Sequence, residues 1–292
     1  MQTGPVIALA TSAEVAELDD EGQALAAELR HRGAQVTAAV WDDPSVNWAD
    51  FDLVVVRSTW DYALRRDQFV TWAQSLSDKT TIANNTETLA WSTDKHYLID
   101  LAHHGVPIVP STFIEPGQPS THELLAVEHV VKPAVSAGSK DALRLASDDC
   151  ERSVAHVEAI TGSGRTALIQ TYLWRIDTDG ETALLYVDGQ FSHAVSKAAI
   201  LKPGAELVEG LFATEVITAR KPSEAERAVA EKALAAIPSH EVPLYARVDL
   251  LPSDDGPIVL ELELAEPSMF LSHAEGSVQR FADAILARVI SG

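Results

Sequence analysis

Four charged residues near the C-terminus fall on one side of an expected hairpin. Between Tyr245 and Leu264 the even positions Ala246, Val248, Leu250, Ile258, Leu260, Leu262 and Leu264 are apolar, whereas odd positions carry Arg247, Asp249, Glu261 and Glu263. Strand side chains alternate between faces, so the charges gather on one face and the apolar set on the other. With the turn centred near Asp254, Arg247 lies opposite Glu261, with Asp249 close by. Three carboxylates at that spacing repel one another unless positive charge sits among them. Arg247 offsets one of them, and a divalent cation that prefers hard oxygen ligands, such as Mg2+, would offset the rest. A solvated acidic strand face is the ordinary meaning of such a pattern; here the acids cluster at the strand centres, which favours an ion.

A second set of residues suits phosphate. Lys132 ends the run Val130-Val131-Lys132-Pro133 and precedes the small-residue loop Ala134 to Lys140, which includes Ser136, Gly138 and Ser139. Small residues let backbone N–H groups approach phosphate oxygens. No Gly-x-x-x-x-Gly-Lys-Ser/Thr pattern is present, so by themselves these residues read more readily as a surface loop beside an exposed lysine. Taken alone, Lys95 reads as a helix surface charge and Gln170-Thr171-Tyr172-Leu173 as a connection between layers. Arg57 and Asp61 could pair with each other, although an arginine directly after three valines is unusual.

The elements that would position these residues follow from apolar patterning. Val6–Ala10, Val36–Val40 and Leu53–Val56 are short apolar runs expected of buried parallel strands. Asp19–Arg32 has helical spacing and stops at Gly33. The segment Arg57-Ser58-Thr59-Trp60-Asp61-Tyr62 then follows the third strand at its carboxyl end, where open α/β sheets collect ligands. A helix capped by Ser92 or Thr93 is expected to run through Lys95 to His103, ending at Gly105 and Pro107. Ile108–Ile114 follows, and then a polar stretch, Glu115–His122, leading into a helix. Strands are expected at 130–133 and Ala167–Leu173, with a helix around Asp148–Thr161 between them. Thr182–Val187 and Gln190–Ser196 flank Asp188-Gly189, a type I′ turn pair. Helices are expected at Glu224–Ile237 and Ala274–Ile290. The pattern is α/β to α+β, divided into residues 1–91, 92–173 and 174–292.

Composition narrows the partners. Lys and Arg number 22 against 43 Asp and Glu, a formal charge of −21, which repels nucleic acid phosphates and anionic membrane surfaces. No apolar run approaches the roughly 18 to 20 residues of a membrane span, and no secretory leader pattern is seen. A single cysteine, Cys150, excludes an intrachain disulfide and fits a cytoplasmic location. The ten histidines show no paired spacing for zinc, and no Gly-x-Ser-x-Gly elbow marks a serine hydrolase.

In this order the signals resemble the ATP-grasp ligases over most of the chain. The resemblance implies an N-terminal α/β layer followed by two α+β lobes that clamp ATP. It implies that Lys95 and Lys132 hold the nucleotide phosphates, that Ser136, Gly138 and Ser139 close over them, and that Gln170, Tyr172 and Leu173 meet the adenine. Asp177 is the candidate for the ribose. Arg247-Val248-Asp249 and Glu261-Leu262-Glu263 match the family's closing strands, with Glu263 where asparagine is usual. Asp249, Glu261 and Glu263 would hold Mg2+, with Mn2+ as the alternative, and Arg247 and Lys132 would stabilise the reacting phosphoryl group.

Arg-Ser-Thr-Trp-Asp-Tyr (57–62) and Glu-Leu-Glu-Leu-Ala-Glu-Pro-Ser (261–268) are similar to a subgroup of cyclo-ligases. That likeness implies ring closure of O-ureido-D-serine to D-cycloserine through an acyl phosphate. A ligase joining two separate small molecules is the alternative. In either case the partner is a small carboxylic acid, with substrate contacts expected from Arg57, Ser58, Asp61, Lys197 and Ser268. A homo-oligomer is left open.

Overall fold

The computed structural model describes residues 4–119, 126–201 and 216–291. Three sheets organise these residues. In the first, β1 (Val6–Thr11), β2 (Gln35–Val40), β3 (Leu53–Ser58) and β4 (Thr81–Ala83) run parallel in the order β2-β1-β3-β4. Ile7 to Ala10 and Val54 to Val56 are buried throughout, as expected of strands covered on both faces. Helix α1 (Asp20–His31) starts where the Asp19 carboxylate accepts the Gly22 N–H at 3.2 Å, and Gly33 follows it at φ 92°. Helices α2 (Arg66–Ser75) and α3 (Thr86–Ser92) complete this layer. Strand β3 runs two residues further than expected, so Arg57 and Ser58 belong to the strand rather than to the loop after it.

The helix expected to run from a cap at Ser92 or Thr93 through Lys95 to His103 begins later, at Tyr97, and a separate helix ends at Ser92. α3 ends at Ser92, α4 spans Tyr97–His103, and Lys95 sits in the turn between them. The Lys95 N–H donates to Ala134 O (3.1 Å) and the His96 N–H to the Asp94 carboxylate (3.1 Å), so the backbone there bonds outside any helical ladder. The second sheet is antiparallel, in the order β5-β8-β6-β7, from β5 (Ser111–Ile114), β6 (His129–Pro133), β7 (Leu143–Leu145) and β8 (Ala167–Thr171). Helix α5 (Cys150–Gly162) packs on one face of it. The end of the stretch expected to lead from Glu115 into a helix, including His122, lies outside the described residues.

The third sheet is antiparallel, in the order β11-β10-β9-β12-β13. Its strands are β9 (Glu181–Val187), β10 (Gln190–Lys197), β11 (Ile217–Arg220), β12 (Tyr245–Ser253) and β13 (Gly256–Glu263). Helices α6 (Ile176–Asp179), α7 (Glu224–Ala235) and α8 (Ser277–Ser291) accompany it. Ser223 and Glu226 form a reciprocal capping box at the start of α7. Asp188 and Gly189 both take positive φ, 49° and 71°, as a type I′ turn requires.

The β12–β13 register corrects the sequence expectation. Arg247 faces Glu263 and Asp249 faces Glu261, because the pairing shifts by one residue beyond Asp249. The extra residue in β13 is a bulge at Leu260, and it reverses the faces on either side. Val259 therefore joins Leu262 and Leu264 in the core, whereas Leu260 turns toward the cavity beside Glu261.

The first and third sheets are joined through buried polar contacts. Asn84, at φ 56°, donates to Tyr245 O (2.8 Å) and Leu264 O (2.7 Å) and accepts the Leu244 N–H (2.7 Å). The Tyr245 hydroxyl lies 3.0 Å from Val56 O and 2.9 Å from Ala265 O. Arg57 is 2% exposed, with its guanidinium over the rings of Tyr245 and Phe281, and it donates to Glu21 at 3.0 Å. Glu21 in turn accepts the N–H groups of Met269 (2.7 Å) and Leu271 (2.6 Å). No helix among the described residues is long and apolar enough to cross a membrane.

Truncating Glu21 would strand a buried guanidinium and two backbone donors together. Glu21→Ala is expected to lower unfolding stability by about 3–5 kcal/mol, the usual result of breaking a buried ion pair, as read from urea unfolding. A loss under about 1 kcal/mol would show that this latch does not hold the two sheets.

Candidate functional site

A cavity of ≈ 380 Å³ lies between the second and third sheets, with the segment after β3 on one side. At one end β6 and β8 contribute Val130, Lys132 and Gln170. The residues that follow β8 add Thr171, Tyr172, Leu173 and Ile176. Gln170 is 2% exposed and donates through Nε2 to Ser111 Oγ at 2.9 Å; the Ser111 hydroxyl donates to Val109 O at 2.7 Å. This relay orients the amide so that its nitrogen faces Ser111; its oxygen has no hydrogen bond among the described residues. Tyr172 lies under the Arg144 guanidinium, 3.5 Å from its ring centre. Asp177, expected at the ribose, does not line the cavity: Arg144 (3.0 Å) and the Tyr172 hydroxyl (2.6 Å) engage its carboxylate.

In the middle the small-residue loop Ser136–Ser139 meets both lysines. Lys95 donates to Ser136 O (3.0 Å) and Ser136 Oγ (3.1 Å), and it pairs with Glu261 at 2.9 Å. Gly138 and Ser139 both have positive φ, 64° and 60°, a turn conformation that glycine adopts freely. Lys132 has no hydrogen bond or ion pair among the described residues. Burial lowers its pKa to about 8, with Glu261 opposing that shift and Lys95 adding to it.

The charged hairpin closes the site. Asp249, Glu261 and Glu263 each offer an oxygen within 4.8 Å of the others. Arg247 Nε and Nη2 grip the Asp249 carboxylate at 2.9–3.0 Å, and Nη2 also bonds Glu263. Lys197, 7% exposed, pairs with Glu181 at 2.6 Å and lies 3.7 Å from Asp249. It is thus a buried residue and not a solvent lysine.

Carboxyl charge here exceeds what the cations offset. Burial raises Glu263 to about 7 against the pull of Arg247, with Glu261 and Asp249 adding to the rise. Glu266 is raised to about 8 by burial and then by Glu263. Glu181 is raised to about 7 by burial, against Lys197. For Glu261, burial is outweighed by Lys95 and Lys132, and its pKa falls to about 2. An all-oxygen donor set whose carboxyls disfavour one another's ionisation suits a hard divalent cation, Mg2+ or Mn2+, which would favour their charged forms.

Of the residues expected at the substrate, Lys197 and Ser268 line the cavity, and Ser268 O accepts from Arg247 Nη1 at 3.3 Å. Arg57, Ser58 and Asp61 do not. Arg57 bonds Glu21, Ser58 donates to Asp19 (2.8 Å), and Asp61 accepts from Trp41 Nε1 (2.9 Å) and pairs with Arg65. The same segment reaches the cavity through Trp60 and Tyr62 instead. Glu181, Glu266 and Phe270 also line it and were not among the expected residues. Trp60, Tyr62 and Glu266 stand inside the two motifs quoted above, so a signal was available for them. Glu181 has no local signature; only the pairing of β9 with β12 brings it beside Asp249.

Comparison with known proteins identifies relatives over nearly the whole chain. Residues 7–84 match the family model described as the N-terminal domain of D-cycloserine synthetase DcsG. The chain is 37% identical to the cycloserine biosynthesis protein DcsG of Streptomyces lavendulae, over 97% of this chain and 99% of that protein. Its structure is similar to a crystal structure of D-cycloserine synthetase DcsG, with a TM-score of 0.87 and 35% identity over 97% of this chain and 99% of that one. The fold is shared with the D-alanine–D-alanine ligase of Bacillus anthracis complexed with ATP, with a TM-score of 0.73 and 14% identity over 99% of this chain and 97% of that one. With a cavity between its second and third sheets, the chain belongs to the D-cycloserine synthetase family and has the ATP-grasp fold.

Proposed function

We propose that this chain is an ATP-dependent cyclo-ligase that converts O-ureido-D-serine to D-cycloserine. The observation that carries the reading is the cluster of Glu261 and Glu263, lining one cavity with Lys95, Lys132, Lys197 and Arg247, and Asp249 buried beneath them within 4.8 Å. The 37% identity to the Streptomyces lavendulae relative supports the choice of substrate.

A nucleotide would lie with its base toward Gln170, Tyr172 and Leu173, where the free amide oxygen of Gln170 can accept from an exocyclic amine. Its phosphates would meet Lys95, Lys132 and the backbone N–H groups of Ser136–Ser139. Asp249, Glu261 and Glu263 would hold the divalent cation, which when bound neutralises phosphate charge. Catalysis of phosphoryl transfer is mainly positioning and charge neutralisation, and the lysines and Arg247 are groups of that kind.

A substrate carboxylate oxygen attacks the γ-phosphorus, ADP leaves, and an acyl phosphate results. The ureido nitrogen attached to oxygen then attacks the acyl carbon, inorganic phosphate leaves, and the five-membered ring closes. Water removes the carbamoyl group, which departs as carbon dioxide and ammonia. Holding both reacting ends in one molecule supplies most of what the second step needs.

Replacing one charge-stabilising residue is expected to slow turnover by 10²–10³-fold, as for the loss of a single oxyanion donor. Glu261→Gln and Lys132→Met should each lower kcat for ADP formation with O-ureido-D-serine by that order while the protein stays folded. Unchanged kcat in both would remove the assignment. ADP formation only when an amino acid and a second amine are supplied together would favour a two-substrate ligase.

Lys132 also sets a pH dependence. It is charged below about 8 and neutral above, and phosphate favours its charged form. Nucleotide affinity is therefore expected to fall as pH rises through about 8, approaching tenfold per unit. Isothermal titration across that range checks this, and a profile equally steep in Lys132→Met would assign the effect elsewhere.

A further inference from the structure

Glu266 is a cavity carboxylate that the proposed chemistry leaves unused and that no cation pairs with among the described residues. Every other described acid in or beneath the cavity has a cation: Glu181 has Lys197, Asp249 has Arg247, Glu261 has Lys95 and Glu263 has Arg247. Glu266 is 6% exposed and has no ion pair among the described residues; its own backbone N–H donates to its side chain, and Lys95 acts on it only as a positive charge in the same cavity, without pairing with it. It lines the cavity three residues beyond Glu263, on the segment that also presents Ser268 and Phe270. Tyr62 and Trp60 line the same cavity, and the strongest charge acting on Tyr62 comes from Glu266. A carboxyl so deeply buried with no ion-paired cation is costly to ionise, and an ammonium ligand in the cavity would supply the missing partner.

We propose that Glu266 binds the α-ammonium group of the amino-acid substrate, against an aromatic wall made by Trp60 and Tyr62. This rests on the reading of the chain as a ligase of an amino acid. Ammonium is the one cationic group of O-ureidoserine, whose ureido end is neutral and whose carboxylate is the group to be phosphorylated. The bound ammonium favours the ionised form of Glu266, and the ionised carboxylate in turn keeps the amine protonated. An ammonium has no lone pair, so it cannot compete with the ureido nitrogen for the acyl phosphate of a second molecule. The aromatic faces add attraction for the same charge. Glu266 is thus a specificity residue whose partner is the amine and not the nucleotide or the cation.

The test compares O-ureido-D-serine with its desamino counterpart, 3-(ureidooxy)propanoate, by ADP release from the full-length protein and Glu266→Gln. Wild-type protein is expected to prefer the amino compound by about 100-fold in kcat/KM, the order given by a charge-assisted hydrogen bond. Glu266→Gln should raise KM for the amino compound by a similar factor, leave KM for ATP unchanged and remove the preference. Its melting temperature should not fall, because the variant removes an unpaired buried acid while keeping its shape. A KM for the amino compound within twofold of wild type, or a preference retained by the variant, overturns the proposal. If wild-type protein is inert towards O-ureido-D-serine, the cyclo-ligase reading fails on its own. ADP release across α-amino acids and their desamino counterparts then reads the amine site separately, and no preference for the amino forms overturns it.

Discussion

Arg247 is the fixed charge around which the site is built. Its guanidinium holds both Asp249 oxygens and also reaches Glu263 and Ser268 O, in a place where solvent hardly enters. Without it, Asp249 at 2% exposure and Glu263 diagonally across the strand pair would lie close together with no guanidinium between them. A rigid guanidinium suits the task better than a lysine because its planar fork matches a carboxylate at two points. Lys197 and Lys95 extend the pattern outward to Glu181 and Glu261. The result is a row of alternating charges in which carboxylates remain in excess, and that excess is what a divalent cation and an ammonium can occupy.

The surrounding fold serves this row by rigidity on one side and reach on the other. Asn84 and Tyr245 tie the first sheet to β12 and β13, and Glu21 ties α1 to the segment after β13. The carboxylates therefore sit on strands locked into a continuous core that includes Leu9, Val55, Tyr245 and Phe281. The second sheet brings Lys132, Gln170 and the small-residue loop from the opposite side. It meets the third sheet through a few backbone contacts, among them Val109 N to Val259 O at 2.9 Å and Val259 N to Pro107 O at 2.8 Å.

Much of this was legible in the chain because side-chain period and turn residues carry it. Alternation put Arg247, Asp249, Glu261 and Glu263 on one face, and Asp188-Gly189 marked its hairpin directly. The β12–β13 register was not legible, because a bulge adds one residue without any glycine or proline to announce it, and Leu260 looks like any core leucine. Lys95 read as helical because no proline interrupts Ser92 to His103; the break comes from Ala134 capturing the Lys95 N–H, a contact with a residue far along the chain. Arg57, Ser58 and Asp61 were attractive as substrate ligands by residue type. Each is consumed by a distant partner, whereas the neighbouring aromatics Trp60 and Tyr62 face the cavity. Glu266 stood inside a motif, but that it lines the cavity with no paired cation among the described residues shows only in the folded chain.

The claim that the hairpin carboxylates hold a divalent cation beside bound nucleotide is most directly tested by crystals grown with a non-hydrolysable ATP analogue and Mn2+. An anomalous peak bonded to oxygens of Asp249, Glu261 or Glu263 and to phosphate oxygens is the predicted result. Mn2+ bound to the analogue with none of these three carboxylates among its ligands would contradict the account.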